Sequence, residues 1–403
     1  MTINAKLVGL FFVFLLLLAC LAPVKQDISS FLSGFIFILL TYIVFFLGTV
    51  AVKRKKSVIV TAGLNSLNDN IKLVFSFFTI FLAIYAIKVY TGKGGGEVVS
   101  TILLGASNYN EYQQYFRDNQ LGSFSFTKLG GIISLFLVKL NLLFTIIDFS
   151  LQKPNAKRVV ALFFSFIAMI YVSIGRGTSF EIFELLLMII FFTYTHFILS
   201  RKRVSLKSIF ILVILLLIGL IFYSNGINAR YSEEYTPGTS NELFYDETKG
   251  IAGYKFISII LFQLGNYFLI APLYLSEFLN RIFLDFESFI IFLLPGAGNI
   301  AGIKPEFLCE YQFNCGVAWT PSVENVLMKL GFILYFIFIY SLGYIDSKIS
   351  HALSVKPEFI SLIMQYYIFL GLISLPVGNF IGNSSANILI LGIVVLFKLN
   401  KLR

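Results

Sequence analysis

Apolar runs of membrane-crossing length alternate along this chain with polar connections of two unlike kinds. A helix needs about 20 apolar residues to cross a bilayer's hydrocarbon core. Such runs predict spans at about residues 4–22, 29–52, 71–90, 129–151, 159–175, 180–199, 208–224, 254–275, 327–345, 359–376 and 380–397. The stretch 282–295 holds Asp285 and Glu287, then a short apolar run ending at Pro295 and Gly296. It reads as a short span or as a re-entrant segment packed inside protein. One kind of connection is short and basic: Lys53 to Lys56, Lys153 to Arg158, and Arg201 to Lys207. Basic connections stay on the cytoplasmic side of a membrane. Placing them there puts both termini inside, along with Lys348, Lys356 and the tail residues Lys398, Lys401 and Arg403. The pattern closes with about twelve spans if 282–295 crosses or does the equivalent of crossing.

Composition agrees with this pattern. The 403 residues are 58% hydrophobic and only 13% charged, with 46 phenylalanines. A soluble domain of this size carries about twice that charged fraction. The fold class predicted is all-α: one polytopic membrane domain over 1–403, with no separate soluble domain, internal repeat or low-complexity tract. The net charge of +10 is spread over connections between spans and does not form a nucleic-acid-binding surface. Lys6 followed by an apolar run to Ala19 and Cys20 loosely imitates a cleaved lipoprotein signal. Leu18 fits that pattern poorly and a second span follows at once, so an uncleaved first helix is expected. Gly94, Gly95 and Gly96 form a hinge or turn at a membrane exit, with no phosphate-loop pattern around them.

The second kind of connection is long and polar, at about 91–128, 225–250 and 296–325. The first holds Asn108, Tyr109, Asn110, Tyr112, Gln113, Gln114, Tyr115, Phe116, Arg117, Asn119 and Gln120. Aromatic rings beside planar amides suit the apolar faces and hydroxyls of sugars. They suit an interfacial segment at headgroup level as well. The second holds Arg230, Tyr231, Glu233, Glu234, Tyr235, Glu242, Tyr245, Asp246, Glu247 and Lys249; its carboxylates offer a general base or simply solvate the loop. The third holds Lys304, Glu306, Glu310, and Cys309 and Cys315, whose outer-face placement permits a disulfide. Thr320 and Pro321 then suit the start of a helix that runs into the membrane through Gly331.

A tight outer turn, Gly175-Arg176-Gly177-Thr178, separates two spans. Thr178 and Glu181 have capping-box spacing. Arg176, beside a helix N-terminus that favours anions, suits a lipid diphosphate through forked hydrogen bonds, or an ordinary headgroup contact. Glu184 lies one turn deeper, and an ionisable group within a span is a functional hypothesis by default, with Arg176 or another outer cation as its expected partner. Lys139 is the clearest intramembrane cation; Asp148, near the cytoplasmic end, is expected to reach water. His196 and His351 both fall on the inner side, so neither outer histidine chemistry nor a zinc centre is expected, and no cofactor or metal is called for.

The layout, together with the Gly175-Arg176 turn, Arg230, Gly265-Asn266-Tyr267-Phe268 and Thr320 to Asn325 leading to Gly331, resembles the Wzy-type O-antigen polymerases. The resemblance covers the whole chain, and the layout carries most of it. It implies a metal-independent, multi-span membrane glycosyltransferase (GT-C-like) in a bacterial inner membrane, active at the periplasmic face. The growing glycan would pass from undecaprenyl diphosphate to a hydroxyl of a lipid-linked repeat unit. Partners would be that lipid-linked oligosaccharide and membrane lipid, with a chain-length regulator and a flippase. Arg176 and Arg230 would stabilise the leaving diphosphate, helped by Arg117 or Lys304. Glu324, Glu310, Glu234 or Asp246 would take the acceptor's proton. Tyr112, Tyr115, Tyr231 and Glu184 would complete the substrate site. Alternatives are an O-antigen ligase, which relies on an outer histidine, and a lipid-linked glycan flippase, which would line a cavity with cations inside its spans.

Overall fold

The computed structural model describes residues 2–52, 68–103, 125–152, 155–178, 180–200, 245–249, 254–284, 322–355, 358–378, 380–382 and 384–400, with Tyr112, Gln114, Tyr115, Asp118 and Leu293 as isolated positions. The described chain is helical. In order it holds α1 (Ile3–Leu21), a 3-10 turn (Ile28–Phe31), α2 (Leu32–Val50), α3 (Asp69–Thr91), α4 (Gly95–Leu103), α5 (Phe126–Leu151), α6 (Ala156–Arg176) and α7 (Phe180–Ser200). Then follow α8 (Lys255–Phe268), α9 (Ile270–Leu284), α10 (Ser322–Val355), α11 (Phe359–Ser374) and α12 (Ser385–Asn400). Polar residues stop and start the apolar runs. The side chains of Thr2, Asn68, Ser125 and Asn155 each accept an otherwise orphaned backbone N–H at a helix N-terminus. Gly92 and Gly177 end α3 and α6 in the left-handed conformation that glycine adopts without steric cost.

Among the described residues, seven helices are long and apolar enough to cross a membrane, and α8 with α9 forms a further, bent candidate. The molecule is a polytopic helical membrane protein. Several sequence boundaries need correction. The span expected at 254–275 is two helices bent by 41° at Leu269 and running on to Leu284. Pro272, in the first turn of α9, has no N–H to continue the ladder of α8. The helix expected to run through Gly331 is broken there, at φ 69° and ψ 171°, a conformation open only to glycine. The span expected at 359–376 stops at Ser374, since Pro376 cannot extend it. The expected outer loop 91–128 contains α4, and the triple glycine is its start: Glu97 accepts the Gly94 N–H at 2.5 Å. The span expected at 208–224 and nearly all of 282–295 lie outside the described residues.

The chain divides into two compact units. The first comprises residues 1–58, 235–352 and 367–383. Its helices pack through glycines. A Cβ on Gly34 would overlap the Pro272 carbonyl oxygen, and Gly48 and Gly343 face each other so closely that a Cβ on either would overlap backbone of the other's helix. Small residues allow this close approach where lipid offers no hydrophobic drive to association. The Gly34 N–H, in the first turn of α2, donates to Ser276 Oγ at 2.7 Å. Asn4 Nδ2 donates to buried Asp346 at 2.7 Å, which brings the start of α1 beside the late part of α10. At the opposite end of α1, Val24 bridges Tyr245 and Pro23 accepts the Asp246 N–H.

The second unit comprises residues 59–234, 353–366 and 384–403. Here α3, α5, α6 and α7 run up and down beside one another. At one end Lys72 pairs with Asp148 at 2.7 Å, and Arg158 pairs with Asp69 at 3.1 Å and Asp148 at 3.3 Å. Asp148 was expected to reach water; it is instead held by two cations, because the starts of α3 and α6 close over it. Midway, Ser76, Asn141, Thr145 and Ser165 form a buried hydrogen-bonded cluster between α3, α5 and α6. Such polar contacts hold helices together inside lipid.

The glycine contact gives a direct test. Gly343→Leu should lower the unfolding free energy by at least about 1–3 kcal/mol, the usual cost of overpacking. Thermal unfolding of purified protein in detergent, compared with the lipid-facing control Leu396→Ala, measures it.

Candidate functional site

The other end of the second unit gathers polar side chains from five segments. Arg176 is the last residue of α6. The Gly177 N–H bonds back to Ile174 and the Thr178 N–H to Ser173, closing the helix in a Schellman-type cap. The chain then turns straight into α7, which sets Glu181 across from Arg176. Arg176 Nη1 donates to Glu181 Oε1, and Nη2 donates to the Tyr112 hydroxyl at 3.0 Å. The guanidinium lies 5.0 Å from the centre of the Tyr112 ring. Tyr90, at the end of α3, stands within electrostatic reach of both and close to Ser385 of α12. Arg176 Nε is buried and has no hydrogen-bond partner among the described residues. The Arg176 side chain is 24% exposed and that of Glu181 only 5%, so the cation, rather than its carboxylate, is what the site presents.

The capping-box spacing of Thr178 and Glu181 led to a different arrangement from the one it predicts. Thr178 Oγ1 donates directly to Glu181 Oε2 at 2.5 Å, while Oε1 takes the arginine. Glu181 is therefore a bridge between a cation and a hydroxyl.

One turn deeper, Glu184 was expected to pair with Arg176. Its partner is Lys139 of α5, with Nζ to Oε2 at 2.5 Å and both side chains buried. Arg176 is already committed to Glu181, and α5 carries Lys139 to the depth of Glu184. Asn387 Nδ2 of α12 donates to the second Glu184 oxygen at 3.1 Å, and Lys139 also donates to Ser384 Oγ at 3.3 Å. The Phe180 ring lies 5.7 Å from Lys139 Nζ, a cation–π contact between the two ion pairs. This inner pair offers almost nothing to solvent.

Of the residues expected to form a site, the structure thus unites Arg176 with Tyr112 and places Glu184 in the layer beneath. Tyr115 does a separate job: its ring covers the Gly92 cap. Glu324 lies in the first turn of α10, and its side chain is outside the described residues. Arg117, Arg230, Tyr231, Glu234, Lys304, Cys309, Glu310 and Cys315 also lie outside the described residues. Asp246 accepts both the hydroxyl and the N–H of Thr248, which holds its carboxyl below the ordinary carboxylate range and makes it a weaker base. His196 meets the Ser150 carbonyl, at the end of the unit away from Arg176. Among the described residues no three His, Cys, Asp or Glu side chains converge to hold a metal ion.

Sequence reading took Glu181 only as a helix cap, and missed Asn387, Ser384 and Tyr90. Glu181 was legible in part, five positions from Arg176 across a tight turn. The others come from distant helices and carry no local signal.

Breaking the inner pair one-sidedly leaves an uncompensated charge, which costs about 3–5 kcal/mol in a buried pair. Lys139→Met or Glu184→Leu alone should therefore sharply reduce stability and membrane accumulation. The double variant should recover most of both. Thermal unfolding in detergent, with quantitative blotting of membranes, checks this.

Comparisons of the chain with protein-family models, with curated proteins and with solved structures find no match. The functional reading therefore rests on the residues themselves.

Proposed function

We propose that this protein is a polymerase of lipid-linked oligosaccharide repeat units, of the Wzy type. It would work in a bacterial inner membrane, with about twelve spans, cytoplasmic termini and its site open to the periplasm. The observation that carries the reading is Arg176. It is held at the end of a membrane helix by a carboxylate and a phenol, with its side chain still 24% exposed.

The chemistry follows from that placement. As the glycosidic bond to undecaprenyl diphosphate breaks, negative charge grows on the diphosphate. A fixed guanidinium stabilises that charge more than it stabilises the ground state. Planar forked donors match phosphate oxygens better than an ammonium does. Arg230 would supply a second cation, with Arg117 or Lys304. Tyr112 orients Arg176 and, with the amide-rich segment around it, forms a surface suited to sugar. The spatial sorting of charge supports the orientation. Asp69, Lys72, Asp148 and Arg158 gather at one end of their unit and Arg176, Glu181 and Tyr112 at the other.

A second reading, a flippase or transporter of lipid-linked glycan, is favoured by one specific observation. The Lys139–Glu184 pair puts opposite charges inside the spans, as translocation pathways do. The break between α8 and α9 points the same way. Burial of the pair by Asn387, Ser384 and Phe180 argues for a closed structural layer. The polymerase reading is therefore preferred over the transporter.

Arg176→Ala and Arg230→Ala should each abolish chain extension, a loss of about 10²–10³ in rate for one well-placed donor. The protein should still insert. The measurement is gel analysis of lipopolysaccharide from a polymerase-null strain carrying each variant. Normal long-chain ladders in both would remove these residues from the site. A deletion strain should make glycolipid capped with a single repeat unit; loss of all capping would favour the flippase or ligase.

A further inference from the structure

Glu181 is placed for more than holding Arg176. Its two carboxylate oxygens are divided between two kinds of donor. Oε1 takes the guanidinium, and Oε2 takes a hydroxyl proton donor, Thr178 Oγ1, at 2.5 Å. Transfer from a diphosphate to an alcohol needs a cation for the leaving group and a carboxylate within hydrogen-bond reach of the attacking hydroxyl. Both are present here on neighbouring helices, joined by a turn that the Gly177 cap keeps tight. Resting on the polymerase reading above, we infer that Glu181 is the general base of the transfer, held beside the leaving-group cation by its ion pair with Arg176.

A diphosphate arriving at Arg176 meets a side chain that is 24% exposed, so the cation for the leaving group and the carboxylate stand side by side at the point of transfer. The acceptor hydroxyl replaces that of Thr178 on Oε2. Its oxygen forms the new bond to the anomeric carbon as the carbon–oxygen bond to the diphosphate breaks. The electron pair leaves with the diphosphate, and the hydroxyl proton passes to Glu181 Oε2. That proton is later released to water or to the departing diphosphate, which restores the carboxylate.

Neighbouring carboxylates fit this role less well. Glu184 accepts from Lys139 at 2.5 Å and from Asn387 at 3.1 Å, so neither of its oxygens takes a hydroxyl as Glu181 Oε2 does. Glu181 lies one turn nearer the outer end, against an arginine whose side chain is 24% exposed. The layer beneath it, tied to α5 and α12 through Glu184, fixes the rotation of the first turn of α7 and so the direction in which Glu181 points.

The test separates binding from turnover, because a base and a structural strut move them differently. Full-length Glu181→Gln, Glu181→Asp and Arg176→Ala are purified in detergent and titrated with undecaprenyl diphosphate. The same variants are assayed for chain extension in membranes supplied with lipid-linked repeat units from the producing strain. Glu181→Gln should bind undecaprenyl diphosphate as tightly as the parent or a few-fold tighter, since a competing charge is gone. Its extension rate should fall at least about 100-fold, the usual contribution of a positioned base. Glu181→Asp should bind normally and extend at an intermediate rate. Extension by Glu181→Gln within about tenfold of the parent, with Arg176→Ala inactive, overturns the assignment of the base and leaves the polymerase reading standing. Full extension by Glu181→Gln and Arg176→Ala alike overturns both. Joint loss of binding and extension in Glu181→Gln shows that Glu181 only holds Arg176 and also overturns the assignment. Should Glu181→Gln fail to accumulate, Glu181→Asp decides: normal binding with slowed extension supports the base, and an unaltered rate sinks it.

Discussion

An ionised carboxylate among apolar helices must have a countercharge at contact distance, and much of the second unit follows from meeting that requirement for Glu184. Desolvating a carboxylate and an ammonium is costly, and only close pairing with further hydrogen bonds offsets it. Lys139 supplies the charge and Asn387 the remaining donor, from α5 and α12. The three elements are thereby fixed against one another at one depth. The phenyl ring of Phe180 roofs the lysine and separates this layer from the next.

That next layer repeats the arrangement where water can reach it. Arg176 and Glu181 also pair, but the arginine is 24% exposed, against 4% for Lys139. Exposure changes what an ion pair can do. The inner pair is almost wholly buried and holds helices together. The outer pair meets solvent through its arginine. Two chemically similar pairs one turn apart on α7 thus differ in their access to solvent. At the far end of the same helices, Lys72 and Arg158 close over Asp148, so the bundle is tied by charge at both ends and by the Ser76–Asn141–Ser165 cluster between them.

The first unit solves the problem of helix association differently. It holds its helices by close backbone approach at Gly34, Gly48 and Gly343, and breaks them at Leu269 and Gly331. Asn266 sits just before the first of these breaks with its amide oxygen buried. Helix ends inside a membrane protein expose backbone groups that only a protein-lined environment can satisfy.

How much could be read in advance follows from the range of each interaction. Spans were legible because hydrophobicity along one helix is a local property, and the observed Asp69–Thr91, Ala156–Arg176 and Phe180–Ser200 fall within a few residues of the sequence reading. The breaks at Leu269 and Gly331 were not, because apolar runs continue through them and hydropathy does not register a dihedral angle. Arg176 was legible as a cation at a membrane-edge turn, and the chain by itself determined that it stands beside the start of α7. Only the tertiary structure decided that Glu181 takes Arg176 while Lys139 takes Glu184. Which charges meet depends on how far one helix slides past another, and that is set by packing across the bundle rather than by any spacing along the chain.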